Sequence, residues 1–116
     1  MEIIYKNKKI EKECTDYSNA KKKYNQQVAD KLHSTINFIN NASNLLDIKS
    51  MPTYRLHALK GNRKGTYAID LGKRLGYRLI ITPLDDNHKE WDTNDENLIF
   101  KSTKVIIVLE VTNHYE

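Results

Sequence analysis

The sequence predicts one α+β domain, helical in its first half and strand-rich in its second. Three observations carry this. Between Tyr17 and Ile39 the apolar residues Tyr17, Ala20, Tyr24, Val28, Leu32, Ile36 and Ile39 recur every three or four positions, which draws one apolar stripe down a helix. After Pro52 the period falls to two, in short runs bounded by glycine, proline or polar residues. The chain of 116 residues is also about the length of one domain, so residues 1–116 read as a single unit around one core.

Taken in order, Glu2 to Tyr5 reads as an opening strand, with Lys6 to Lys9 as its polar exit and Ile10 to Cys14 as one turn of helix. Thr15, Asp16 or Ser18 can cap the helix that follows, because their oxygens accept free backbone N–H groups. Lys21, Lys22 and Lys23 then fall near the positive end of that helix. They oppose its dipole, and read as a solvated face or as phosphate contacts. Asn40-Asn41 interrupts the stripe. Ala42 to Ile48 is a short second helix, ended by Ser50-Met51-Pro52 because proline disfavours helix in the residue before it.

Four strands follow: Tyr54 to Leu59, Thr66 to Leu71, Tyr77 to Thr82 and Lys104 to Thr112. The last carries Val105-Ile106-Ile107-Val108-Leu109, apolar on both faces, which places it inside the sheet as an antiparallel return. Pro83 to Thr103 is a long connection, the kind that is functional or mobile.

Charge is unevenly spread. From Lys49 to Arg78 there are eight Lys or Arg residues, Lys49, Arg55, Lys60, Arg63, Lys64, Lys73, Arg74 and Arg78, against one acid, Asp70. Leu84 to Asn97 holds six of the fifteen acids and one basic residue, Lys89, so the rest of the chain has eighteen basic residues to nine acids. That field attracts a polyanion, and nucleic acid is the expected partner. The acidic stretch reads as a solvated loop.

Other chemistries are poorly supported. Lys60-Gly61-Asn62-Arg63-Lys64-Gly65 lacks the order of a nucleotide-binding phosphate loop and suits a hairpin turn that projects Lys60, Arg63 and Lys64 from one edge. The histidines His33, His57, His88 and His114 are scattered, and Asp92-Thr93-Asn94-Asp95 lacks the glycine of a calcium loop, so neither metal nor cofactor is expected. Cys14 is the only cysteine, and no run approaches the ~18 apolar residues of a membrane span. With no signal-peptide pattern either, the expected compartment is the cytoplasm.

Arg78 stands out, because it interrupts the apolar strand Tyr77-Arg78-Leu79-Ile80-Ile81. A guanidinium there requires an anionic partner, which is Asp70 or Glu110 across the sheet, or a phosphate. His114 and Tyr115 follow the last strand directly. A neutral imidazole accepts a proton near pH 7, whereas a tyrosine is better suited to donate or orient.

The order of elements, the run Leu56-His57-Ala58-Leu59-Lys60-Gly61-Asn62-Arg63-Lys64-Gly65-Thr66-Tyr67-Ala68-Ile69, then Tyr77-Arg78-Leu79-Ile80 and a final His114-Tyr115, resembles HigB-type toxins of the RelE/ParE superfamily from bacterial toxin–antitoxin modules. The resemblance implies an antiparallel sheet of four to five strands, with the N-terminal helices on one face and a cationic RNA-binding face opposite. It also implies a metal-independent endoribonuclease that cuts messenger RNA on the ribosome, and a HigA-like helix-turn-helix antitoxin as partner. On this reading Arg78 and Lys60 stabilise the phosphate, and His114 and Tyr115 hold the proton-transfer positions with His57 assisting. Arg55, Arg63, Lys64, Lys73 and Arg74 bind RNA. The general base stays open between His114, Tyr115 and His57. So does the class of activity: a ParE-like topoisomerase inhibitor of the same fold and a non-catalytic RNA-binding module fit the same cations.

Overall fold

The fold is a five-stranded sheet with α-helices laid against one of its faces. It is seen in a computed structural model that describes residues 1–114, so Tyr115, one of the expected site residues, lies outside the described residues. The elements run β1 (Glu2–Tyr5), α1 (Lys8–Thr15), α2 (Tyr17–Lys23), α3 (Gln26–Asn41), α4 (Leu45–Lys49), β2 (His57–Ala58), β3 (Tyr67–Asp70), β4 (Arg78–Leu84), α5 (Glu96–Ser102) and β5 (Val105–Thr112). Spatial order in the sheet is β1-β5-β4-β3-β2.

Each of these α-helices begins at an Asn or Asp whose side chain accepts a backbone N–H of the first turn: Asn7, Asp16, Asn25, Asn44 and Asp95. These caps decide where the helices start. The apolar stripe from Tyr17 to Ile39 predicts one helix, but the chain forms two. Tyr24 leaves helical geometry, and Asn25 turns extended and starts α3 with its side chain on the Val28 N–H. The break moves Lys21, Lys22 and Lys23 into the last turn of α2, where cations favour the dipole instead of opposing it. Lys8 and Lys9, expected in the exit of β1, instead open α1.

Two further differences concern the sheet. β1 pairs with β5 in parallel, Ile3 opposite Ile106, so the sheet is mixed and not wholly antiparallel. A parallel neighbour needs a long crossover, and nearly the whole chain separates these two strands. The expected strand from Tyr54 to Leu59 shrinks to His57–Ala58, because Pro52–Tyr54 forms a 3₁₀ turn and Arg55 adopts a left-handed conformation with φ 42°. The other pairings are antiparallel, and β5 lies between β1 and β4, inside the sheet as its apolar sequence requires.

The core sits between the helices and one sheet face. Leu32, Ile36 and Ile39 of α3 join Ile69, Leu79, Ile81, Ile106 and Val108 of the strands. Alternation sends Ala68 and Ile80 to the opposite face, where they form a small second cluster with Leu59 and Leu109. The acidic connection is structured rather than a bare solvated loop. Asp85 accepts from the Asn87 and Lys89 N–H groups, Leu84 bridges to Glu90, and α5 buries Ile99 and Phe100 in the main core. None of the described helices is long and apolar enough to cross a membrane.

Burial gives this core an alkaline limit. Burial, then the charge of Glu13, pushes the Cys14 thiol from its ordinary 9.0 to about 12. Burial also pushes Tyr5 from 10.0 to about 12, with Cys14 and Glu11 adding, and Tyr67 to about 12, with its hydrogen bond to Glu96 adding. Each group holds its proton more tightly folded than unfolded. Stability is therefore complete below the ordinary values and falls as pH rises from them toward about 12. The urea midpoint is expected to drop steadily between about pH 9 and about pH 11, and a flat profile there would count against neutral, buried Cys14 and tyrosines.

Candidate nucleic-acid interface

The sheet face without helices is set by register. Asp70 of β3 lies opposite Arg78 of β4, which lies opposite Thr112 of β5. Two residues along, His57, Ala68, Ile80 and Glu110 form a second row across four strands. Strand alternation puts both rows on one face, with Ala68 and Ile80 as its apolar floor.

Asp70 is the centre of the first row. Its Oδ2 accepts from Arg55 Nε at 2.8 Å, its Oδ1 accepts from Arg55 Nη2 at 3.4 Å, and the same Oδ1 lies 3.7 Å from Arg78 Nε. The Asp70 and Arg78 side chains are 13% and 14% exposed, so the carboxylate is what makes a mostly buried guanidinium tolerable. The one carboxylate holds two arginines together at the end of the sheet. The ion pair expected for Arg78 is thus formed with Asp70, while Glu110 accepts from Arg63 Nη2 at 2.9 Å.

A cleft of about 700 Å³ opens beside Arg78, bordered by Arg55, Asp70, Lys73 and Tyr77 and, from α3, by Lys31. A second cleft of about 440 Å³ lies between α1, α2 and the end of β5, and contains Glu13, Lys23, Tyr24, Glu110 and His114. Tyr77 borders both. In the second cleft the buried Glu13 accepts from the Tyr24 hydroxyl, and burial followed by that hydrogen bond raises the Tyr24 pKa well above its ordinary value.

The histidines are placed differently. His57 is half-buried, and its Nδ1 lies 2.7 Å from the Arg55 carbonyl oxygen. A carbonyl only accepts, so Nδ1 carries the hydrogen and Nε2 of the neutral ring is left as an acceptor. His114 is exposed beyond the end of β5, its backbone N–H on Thr112 Oγ1 at 3.1 Å. Arg78 pairs with Thr112, two residues short of His114. His57 is two strands from Arg78 and one row away, or ~12 Å between Cα atoms by ordinary strand spacings.

Of the other expected contacts, Lys60 and Lys64 are exposed around the 3₁₀ turn Gly61–Arg63, and Arg63 reaches back over the sheet face to Glu110 instead of projecting from the edge. Lys73 borders the larger cleft, and Arg74 is exposed on the same turn. Sequence reasoning missed Lys31, and it expected Asp70 as a partner of Arg78 without foreseeing that Asp70 also pairs with Arg55. Among the described residues no three His, Cys, Asp or Glu side chains are grouped to hold a metal ion.

No family model and no curated protein matches the sequence. Among solved structures the chain is similar to the YoeB/ParE toxin from Agrobacterium tumefaciens, with a TM-score of 0.53 and 13% identity over 99% of this chain and 100% of that one. It is similar also to the YoeB–YefM complex from Staphylococcus aureus, with a TM-score of 0.52 and 20% identity over 99% and 98% of the two chains. At these identities the likeness is one of architecture: a mixed five-stranded sheet backed by helices is the fold this chain has in common with the YoeB/ParE toxin structures.

Proposed function

We propose that the protein is the toxin of a toxin–antitoxin module, a HigB-type member of the RelE superfamily that cuts messenger RNA on the ribosome. The observation that carries this reading is the likeness to YoeB toxin structures along 99% of the chain. The cations support it: Arg55 and Arg78 meet Asp70 on the face that the helices leave uncovered, and Lys60, Lys64, Lys73 and Arg74 are exposed in the turns between strands.

In this mechanism the RNA 2′-oxygen attacks the adjacent phosphorus and the bond to the 5′-oxygen breaks. The products are a 2′,3′-cyclic phosphate and a 5′-hydroxyl. A protein base takes the 2′-hydroxyl proton, an acid returns one to the 5′-oxygen, and Arg78 with Lys60 meets the charge that builds on the phosphate. His57, His114 and Tyr115 are the candidates for proton transfer. The partner is an antitoxin, by analogy with the YoeB–YefM complex, and a HigA-like helix-turn-helix protein is the specific candidate. The site of action is the cytoplasm.

Induced expression is expected to arrest growth with new 5′ ends inside translated transcripts, read by primer extension, while purified protein cuts free RNA poorly. A ParE-like topoisomerase inhibitor is the second reading. It is favoured by the YoeB/ParE name of one structural neighbour and by an Arg78 already paired with a carboxylate. Intact transcripts together with DNA damage would decide for it.

A further inference from the structure

We propose that the cleft between α3 and the turn from Gly72 to Gly76 is a nucleotide subsite, receiving the ribonucleotide next to the cleaved bond; this rests on the RNA-cleaving reading. The cleft measures about 700 Å³, within the usual range for small-molecule pockets. Its charged lining is Lys31, Arg55, Lys73 and Arg78 against the single carboxylate of Asp70. Asp70 engages both arginines, which leaves the exposed Lys31 and Lys73 as the point charges suited to a further phosphate.

The walls are built to stay in place. Gly72 and Gly76 have φ of +90° and +73°, conformations that suit glycine, and they fold the turn so that the Leu75 N–H donates to the Gly72 carbonyl at 3.1 Å. A Cβ placed on Gly72 would lie 3.3 Å from Leu75 Cδ1 and 3.6 Å from Lys31 Cγ, so a side chain here would crowd both neighbours. Tyr54 and Tyr77 line the cleft, and each packs against another ring, Phe38 and Tyr24 respectively, with centroids 5.3 Å apart in both pairs. Anchored aromatic rings beside cations are what a base and its phosphate require, since stacking on such a ring contributes ~1–3 kcal/mol per base. Ser34, whose hydroxyl donates to the Lys31 carbonyl at 3.1 Å, adds an acceptor for base or ribose edges.

The test uses ¹⁵N-labelled full-length protein titrated with adenosine 5′-monophosphate and, separately, with inorganic phosphate. The nucleotide is expected to shift the amides of Ser34, Thr35, Gly72, Lys73, Gly76 and Tyr77, and phosphate alone only those around Lys31 and Lys73. Lys31→Glu, on an exposed helix position, should melt normally and lose these shifts. Its binding to a single-stranded RNA blocked by 2′-O-methylation should weaken, and the salt dependence of that binding should fall by about 0.7 in log–log slope, the loss of one phosphate contact. Nucleotide shifts confined to the turn from Lys60 to Gly65, or Lys31→Glu binding with an unchanged salt slope, would overturn the subsite. If the wild type nevertheless cuts messenger RNA in cells, only the subsite falls. If it cuts none but the nucleotide shifts the cleft amides, the ribonuclease reading falls and the nucleotide site stands.

Discussion

Arg78→Ala is expected to abolish toxicity, lowering messenger RNA cleavage by about 10²–10³-fold, while leaving a folded protein. A guanidinium that meets charge developing on a phosphate contributes most in the transition state, so its loss appears in rate. The competing expectation is a stability defect, because removing one member of a buried ion pair typically costs ~3–5 kcal/mol by stranding the other. Here Asp70 is not stranded. Arg55 still donates to both of its oxygens, at 2.8 and 3.4 Å, so the loss should stay near ~1 kcal/mol, the order of one hydrogen bond. For a domain of this size that is a fall of about 4 °C in melting temperature. Arg78→Lys should recover little activity, since an ammonium keeps the charge without the planar fork. Inactivity accompanied by a much larger fall in melting temperature would make Arg78 a structural residue. The same result in Arg55→Ala would show that Asp70, not a phosphate, is what both arginines serve.

His57→Asn is expected to reduce cleavage by about 10²–10⁴-fold, the usual range for a general base, and His114→Gln to reduce it less. The sequence alone favours His114, because it follows the last strand beside Tyr115. Two features of the structure favour His57. It shares the helix-free face with Arg78, and the Arg55 carbonyl holds its Nδ1 hydrogen, which leaves Nε2 to accept the 2′-hydroxyl proton. Asn is the informative replacement, because its amide can still donate to that carbonyl but cannot serve as a base. The backbone at Arg55, left-handed at φ 42°, therefore keeps its partner. Single-turnover cleavage on programmed ribosomes measures the effect. Full activity in His57→Asn with loss in His114→Gln would return the proton-transfer role to the C-terminal pair.

Local signals in this chain were legible because their physics is local. An apolar period of 3.6 or 2 marks which side of an element is buried, so the helical half, the strands from Tyr67 onward and the core residues Leu32, Ile36, Ile69, Leu79 and Ile106 follow from pattern alone. The run of cations from Lys49 to Arg78, with Asp70 as its one acid, is likewise legible before any fold is known. Some misread features were also local. Asn25 could have signalled the helix break, and Asp95 followed by Leu98-Ile99-Phe100 could have signalled α5 inside the acidic connection, but the continuous stripe and the run of acids were the louder patterns.

What only the tertiary structure decided is which charges meet. Arg63 pairs with Glu110 across 47 positions of sequence, and Asp70 gathers Arg55 from 15 positions away together with Arg78 on the neighbouring strand. No period or spacing encodes such pairings, because they depend on strand order and register. A slip of one residue between β3 and β4 would send Asp70 and Arg78 to opposite faces. The parallel pairing of β1 with β5 and the cleft between α3 and the Gly72 turn arise in the same way, from elements far apart in the chain that meet only when the shared core closes.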